Sequence, residues 1–289
     1  MAILIDERTR LVVQGLTGEQ GRFHSLRNRE AGTRIVAGVT PGKGGQDVEG
    51  IPIFETVTEA VAETDGNTAV VYVPARFAAE AILEASDSGV DLVVCVTEGI
   101  PVTDMARVAS HIEGRGPVLV GPNCPGLISP GNANVGIIPA EICRPGRVGM
   151  VSRSGTLTYQ IVYELTQRGI GQSTCLGIGG DPVHGIGFIE ALERFEADPD
   201  TDLAVLIGEI GGDDEERAAE FVAQRMTKPV VAYIAGFTAP PGKRMGHAGA
   251  IITGSSGTAQ AKAEAFEAVG VKVGRTPTEV AELVEAALA

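Results

Sequence analysis

Residues 11–21 read LVVQGLTGEQG, an apolar run that stops in a glycine turn and opens onto a polar stretch. Leu11 to Gly15 reads as a strand and Gly18 to Glu30 as the helix that follows it. The same sequence of elements recurs downstream. Arg34 to Val39 reads as a strand, and the loop TPGKGGQDVEG leads from it to a further strand over Ile51 to Phe54. Thr68 to Val73, a helix over Ala75 to Ser86, the apolar strand Asp91 to Thr97, a helix over Thr103 to Glu113 and Val118 to Val120 complete the half. These runs are rich in Val and Ile and lack in-out alternation, as parallel strands covered by helices on both faces require. Beta-alpha alternation of this kind predicts an open, doubly wound sheet.

From Gly121 the texture changes. Residues 121–149 are dense in Pro, Gly and Asn and show no periodic element, which places a domain boundary in their first few residues. The expected division is 1–122 and 123–289. Alternation then resumes. Strands are expected over Val148 to Val151, Ser173 to Ile178, Leu203 to Ile207, Val230 to Ile234 and Val271 to Val273. Helices are expected over Gly155 to Gln167, Gly187 to Glu196, Asp213 to Met226, Thr258 to Val269 and Thr278 to Leu288. About five strands and five helices make a second three-layer α/β domain.

Composition narrows the function. The formal net charge is −14, and no Lys/Arg cluster compensates it, so nucleic acid is not an expected partner. Small anions stay open, because helix N-termini hold them locally. No apolar run is long enough to span a bilayer, and the start MAILIDERTR turns charged at once, unlike a secretory signal or an Arg-rich transit peptide. Cys95, Cys124, Cys143 and Cys175 show no CxxC spacing. Neither a disulfide framework nor a metal site is expected, and thiols in a reducing cytoplasm are the default.

Several turns are built to hold anions. Gly15 to Gly21 has the spacing GxxGxxG, which leaves the amides of a helix N-terminus open to a phosphate. After the second strand, where a nicotinamide site would carry an acidic residue, stands Lys43 in a flexible loop. A lysine there suits a phosphorylated ribose, as in coenzyme A or NADP; a solvated surface lysine is the plain alternative. Val96, Thr97 and Glu98 leave the carboxyl end of a strand, with Glu98 open to two readings, a ligand acceptor or a cap for the next helix. Ser154, Gly155 and Thr156 fall at the cap and first turn of a helix, with Tyr159 one turn on.

His247 lies in KRMGHAGA, residues 243–250, after a Pro-Pro-Gly turn. Its small neighbours leave the ring open to act as base, ligand or covalent nucleophile. Glu209, among glycines at another strand end, is suited to orient an imidazole. His24, His111 and His184 read as structural or solvated. Cys124, with no adjacent base, reads as part of a rigid loop lining a site. No GxxxxGK[ST] phosphate loop and no kinase signature occurs, so a phosphoryl donor for His247 is expected on a partner chain.

With these residues in view the chain resembles the alpha subunits of succinyl-CoA synthetase (succinate–CoA ligase). GLTGEQG, TPGKGG, VTEGIP, GPNCPG, VSRSGTLTY, GIGGDP, IGEIGG and KRMGHAGAI occur in order over nearly the whole chain. The resemblance implies a Rossmann-like CoA-binding domain followed by a flavodoxin-like, doubly wound parallel-sheet domain. It implies reversible formation of succinyl-CoA from succinate and CoA, a step of the citric acid cycle, through a phosphohistidine and succinyl phosphate. His247 would carry the phosphoryl group and Glu209 would steady its ring. Coenzyme A would contact Thr17, Gly18, Glu19, Gln20, Lys43, Val96, Thr97 and Glu98. Tyr159 would meet the carboxylate substrate, and Ser154, Gly155 and Thr156 the phosphohistidine. ATP or GTP with Mg2+ would belong to the ATP-grasp beta subunit of an alpha–beta or alpha2–beta2 assembly. Glu19 and Arg76 depart from the usual residues at their positions. Pro125 and Thr158 favour succinate over the malate of related ligases. Two readings from other classes, a CoA or nucleotide sensor and a nicotinamide oxidoreductase, are disfavoured by the lack of a DNA-binding element and by Lys43.

Overall fold

The structure, a computed structural model, describes residues 2–114, 116–240, 242–252 and 257–289. Pro241, in the expected Pro-Pro-Gly turn, lies outside them. The first half contains β1 (Leu11–Gln14), α1 (Glu19–Glu30), β2 (Ile35–Val39), β3 (Asp47–Val48), β4 (Ile51–Phe54) and α2 (Val57–Thr64). It continues with β5 (Thr68–Val71), α3 (Ala75–Asp87), β6 (Leu92–Cys95), α4 (Val102–Ile112) and β7 (Val118–Val120). The strands form one sheet in the order β3-β4-β2-β1-β5-β6-β7. All neighbours run parallel except the short β3–β4 pair. Without β3, this is the doubly wound dinucleotide-fold order, with the reversal between β1 and β5.

The second half contains β8 (Gly126–Ser129), β9 (Ala133–Gly136), a 3-10 turn at Ala140–Ile142, β10 (Pro145–Ser152), α5 (Gly155–Gln167) and β11 (Gln172–Gly177). Then come α6 (Phe188–Ala197), β12 (Leu203–Glu209), α7 (Asp214–Arg225), β13 (Val230–Ala235), α8 (Ala259–Ala268), β14 (Lys272–Gly274) and α9 (Pro277–Leu288). The sheet order is β14-β13-β12-β10-β11-β8-β9. Its parallel part, β11-β10-β12-β13-β14, has the flavodoxin order, with the reversal between β10 and β12.

Two expectations are corrected. Residues 121–149 are not free of regular structure: β8 and β9 form a hairpin that extends the second sheet, β8 pairing antiparallel with β11. Every residue of both strands is buried, so no in-out alternation marks them in the sequence. The helix α2, only eight residues long, was also not anticipated.

The hairpin ties the halves together. Asn28 Nδ2 and Tyr72 Oη both donate to the Gly136 carbonyl, at 2.9 and 2.8 Å, and Thr33 Oγ1 donates to the Asn134 carbonyl at 3.0 Å. Close packing also decides single residues in the strands. A Cβ on Gly149 in β10 would stand 2.5 Å from the ring of Phe195, a fully buried side chain of α6 whose burial contributes about 2–3 kcal/mol. Among the described residues no helix is long and apolar enough to cross a membrane.

Candidate active site

In an open parallel sheet the carboxyl ends of the strands diverge at the reversal and leave a crevice there. In the second sheet that crevice lies beyond β10 and β12. Ser152, the last residue of β10, is in register with Gly177 of β11 on one side and Ile207 of β12 on the other. Beyond β11 comes Gly180; at the end of β12 stands Glu209.

His247 meets both of these flanks. Its Nδ1 lies 3.0 and 2.8 Å from the two Glu209 carboxylate oxygens. A Cβ on Gly180 would fall 2.2 Å from the imidazole Cγ and Nδ1, so the ring rests directly on that backbone. Local hydrogen bonds fold the loop. Met245 N–H donates to the Ala250 carbonyl at 2.8 Å, Ala250 N–H to the His247 carbonyl at 3.2 Å, and Gly249 N–H to the Gly180 carbonyl at 3.3 Å. Ala250 and Ile252 anchor it in the core. Gly211 lets the loop approach, since its φ of +93° and the Gly249 carbonyl 2.1 Å from a built Cβ both exclude a side chain.

The electrostatics follow. Glu209 is 7% exposed and the His247 side chain 28%, so the pair is largely shielded while the ring keeps an open edge. The hydrogen bond to Glu209 raises the imidazole above its ordinary value; burial opposes this, the Glu209 and Asp181 charges add to it, and Arg153 works against it. With Nδ1 donating to the carboxylate, the neutral ring carries its lone pair on Nε2.

The turn after β10 opens α5. Ser154 caps the helix, its hydroxyl accepting from Leu157 N–H at 3.3 Å, while Gly155 and Thr156 begin the first turn. Tyr159 is half-buried and donates to the Ile137 carbonyl at 3.4 Å; burial pushes its phenol up to about 12, so it stays a neutral donor.

The remaining predicted residues gather at the reversal of the first sheet. Gly18 has no side chain to cap α1, leaving the first-turn amides of Glu19, Gln20 and Gly21 for a ligand. Gly21 is required there, as a Cβ would come within 2.3 Å of the Gly15 carbonyl. Thr17 Oγ1 donates to Thr40 Oγ1 at 3.1 Å and accepts from Lys43 Nζ at 3.2 Å, which draws the exposed lysine to the turn. A cavity of about 760 Å3 opens beside it, lined by Val39, Pro41, Val73 and Phe77 among others. Val96 and Thr97 are half-buried, and Thr97 Oγ1 donates to the Val73 carbonyl at 2.7 Å. Glu98 is exposed and does not cap α4, whose cap position is Pro101. Thr97 and the His247 loop are linked: the Thr97 carbonyl accepts from Asn123 N–H at 3.0 Å, and Asn123 Nδ2 donates to Asp181, next to Gly180, at 2.9 Å.

Other candidates separate from the sites. Cys124 is buried, donates to the Cys95 carbonyl at 3.3 Å, and burial pushes its thiol up to about 12, which removes it as a nucleophile. His24 stacks on Tyr72, and His111 bonds Asp87 at 2.8 Å on the surface. His184 takes the structural one of its two readings. It lies 3.9 Å from Asp214, whose carboxyl is held at about 2 by that imidazole first and then by Arg153 and Lys262. These charges form a cluster beneath Glu209 that sequence reasoning missed.

Comparison with known proteins fits this geometry. Residues 6–99 match the CoA binding domain family and residues 151–272 the CoA-ligase family. The alpha 2 subunit of succinate–CoA ligase (ADP-forming) of Archaeoglobus fulgidus is 60% identical over 98% of this chain and 99% of its own. This chain belongs to the succinate–CoA ligase alpha-subunit family. The family's alpha subunit from Aquifex aeolicus is 58% identical over 98% of this chain and 94% of its own. Membership identifies an acid–thiol ligase subunit and implies a partner subunit. Among solved structures, ATP citrate lyase of Methanothrix soehngenii in complex with citrate and coenzyme A superposes with a TM-score of 0.86 at 26% identity. That match covers 99% of this chain and 50% of the lyase, so the present fold spans half of the lyase chain.

Proposed function

We propose that this chain, with an ATP-grasp partner, forms succinyl-CoA reversibly from succinate, CoA and a nucleoside triphosphate, His247 passing the phosphoryl group between sites. The observation that carries the reading is the Nδ1 contact with Glu209, which puts the lone pair of the neutral ring on Nε2. Residues 1–122 would bind CoA and 123–289 carry the phosphohistidine, in the cytoplasm.

Neutral Nε2 attacks the γ-phosphorus, and the bond to the nucleoside diphosphate breaks. Glu209 balances the positive charge that grows on the ring. A succinate carboxylate oxygen then takes the phosphoryl group from Nε2, forming succinyl phosphate. CoA thiolate attacks the acyl carbon and inorganic phosphate leaves. The amides of Gly155 and Thr156 would hold the phosphoryl oxygens, and the neutral Tyr159 phenol would turn from the Ile137 carbonyl to donate to the succinate carboxylate. The nucleotide and magnesium would be bound by the partner, which this chain's lack of a phosphate loop supports. In-line transfers of this kind depend on positioning and charge neutralisation. The test is labelling of the chain, co-expressed with its partner, from γ-labelled ATP or GTP. The label should be acid-labile, alkali-stable and discharged by succinate with CoA; an alkali-labile label, or discharge by malate alone, overturns the reading.

Lys43→Glu is expected to raise KM for CoA about ten- to a hundredfold, the worth of one charge-assisted contact. Labelling of His247 should be unchanged, because Lys43 belongs to the first sheet. Equal loss in both activities would refute this separation. Glu209→Gln should move the pH–rate profile of phosphorylation. Glu209 keeps the ring protonated to higher pH, and attack needs the neutral ring. Removing the charge therefore shifts the midpoint to lower pH, while the plateau falls about ten- to a hundredfold as orientation is lost. A midpoint that stays put or rises would contradict the pairing.

A further inference from the structure

Lys262 lies on α8 with no exposure at all, as does Glu215 on α7, and their side chains form an ion pair. Both look from the sequence like solvated helix charges. Burying charge is costly, and an aliphatic side chain beside Ala259, Ala263 and Phe266 would pack at lower cost. What the pair touches is the turn that presents Glu209. Glu215 Oε1 accepts from the Glu209 backbone N–H at 3.1 Å, and Lys262 Nζ donates to the Gly211 carbonyl at 2.7 Å. The clamp therefore grips the chain on both sides of Ile210. Gly208 makes room for it, since a Cβ there would meet Glu215 Cγ at 2.5 Å. Arg153 Nε faces Glu215 Oε1 at 3.5 Å and its guanidinium pairs with Asp214, while Glu216 lies 3.5 Å from Lys262. The cluster is thus closed around the Glu209 turn, and Arg153 also belongs to the strand end that opens α5.

We propose that Lys262 and Glu215 are positioning residues that fix the Glu209 carboxylate against His247 Nδ1, and so set the tautomer of the phosphoryl-accepting ring. This rests on the proposed role of His247. Neither residue reaches the ring; they act through the backbone of Glu209 and Gly211. Removing Lys262 frees the Gly211 carbonyl and leaves Glu215 buried without its main counter-charge, so the turn relaxes.

The test uses the chain bound to its partner subunit, with 15N-labelled histidine. Lys262→Met should slow single-turnover phosphorylation of His247 about ten- to a hundredfold, as loss of an outer partner of a catalytic ligand does. It should also shift the ring nitrogen resonances of His247 from one tautomer toward a mixture, with the dissociation constant for CoA unchanged. Lys262→Met combined with Glu215→Met replaces the pair by apolar groups and should recover the thermal midpoint. It should not recover the rate or the tautomer. Recovery of all three in the double variant would reduce the pair to a structural role and overturn the proposal, as would wild-type resonances in Lys262→Met. If Lys262→Met does not fold, the double variant decides alone. Absence of phosphate on wild-type His247 would refute the proposed function, while the tautomer comparison would still decide the clamp.

Discussion

His247→Asn is expected to abolish phosphorylation of the chain and to lower succinyl-CoA formation roughly ten-thousandfold or more, the scale on which loss of a covalent nucleophile acts. Asn places an amide near the position of Nδ1 and can still hydrogen-bond Glu209, so the loop keeps its anchor. What disappears is the lone pair on Nε2. The loop itself should remain folded, because the hydrogen bonds that fold it locally are backbone–backbone and Ala250 and Ile252 also hold it to the core. CoA affinity, measured by calorimetry on the assembled enzyme, should match that of the wild type. The reaction of preformed succinyl phosphate with CoA should also survive, since that step bypasses the imidazole. Persistent acid-labile label in the variant would put the phosphoryl group elsewhere and sink the assignment.

The fold was legible because both halves repeat one pattern. Runs such as Leu92–Cys95 and Leu203–Glu209 are buried throughout, as parallel strands covered on two faces must be. Strand order was not legible, because local pattern does not say which runs become neighbours. The order matters, as it puts Ser154 and Glu209 on the two lips of one crevice although 55 positions separate them. The β8–β9 hairpin escaped for the opposite reason. Its glycines and asparagines resemble a loop, yet its backbone pairs with β11 and its polar groups find partners in the first half.

The site divides in the same way. His247 and Glu209 stand out among glycines, because backbone must pass close to a reacting group and side chains would block it. Lys262 and Glu215 give no such signal. They sit on helices rich in charge, where nothing in the local pattern sets them apart from exposed neighbours such as Glu220 and Glu264, and only tertiary packing turns them inward. Lys43 was readable by its place after β2, but the Thr17 and Thr40 hydroxyls that draw it to the turn are a three-dimensional fact.

Gly180→Ala carries the second large effect, and it tests the geometry rather than the chemistry. Gly180 has an ordinary backbone conformation, so alanine brings no φ strain. Its methyl would nevertheless stand 2.2 Å from His247 Cγ and Nδ1, well inside van der Waals contact. The ring must retreat by more than about 1 Å to recover normal separation, and a shift of that size costs on the order of a hundredfold in a positioned transfer. Retreat also breaks the contact with Glu209, so the imidazole pKa should fall back toward its ordinary value as the rate falls. Gly249→Ala is the control. It lies in the same loop, and its added methyl meets nothing nearer than the Gly180 carbonyl at 3.4 Å, an ordinary contact. Phosphorylation should then drop about a hundredfold in Gly180→Ala and stay within a few-fold of wild type in Gly249→Ala. Equal rates in the two variants would mean that the imidazole does not rest on the Gly180 backbone during transfer, and the placement of the nucleophile over the crevice would have to be given up.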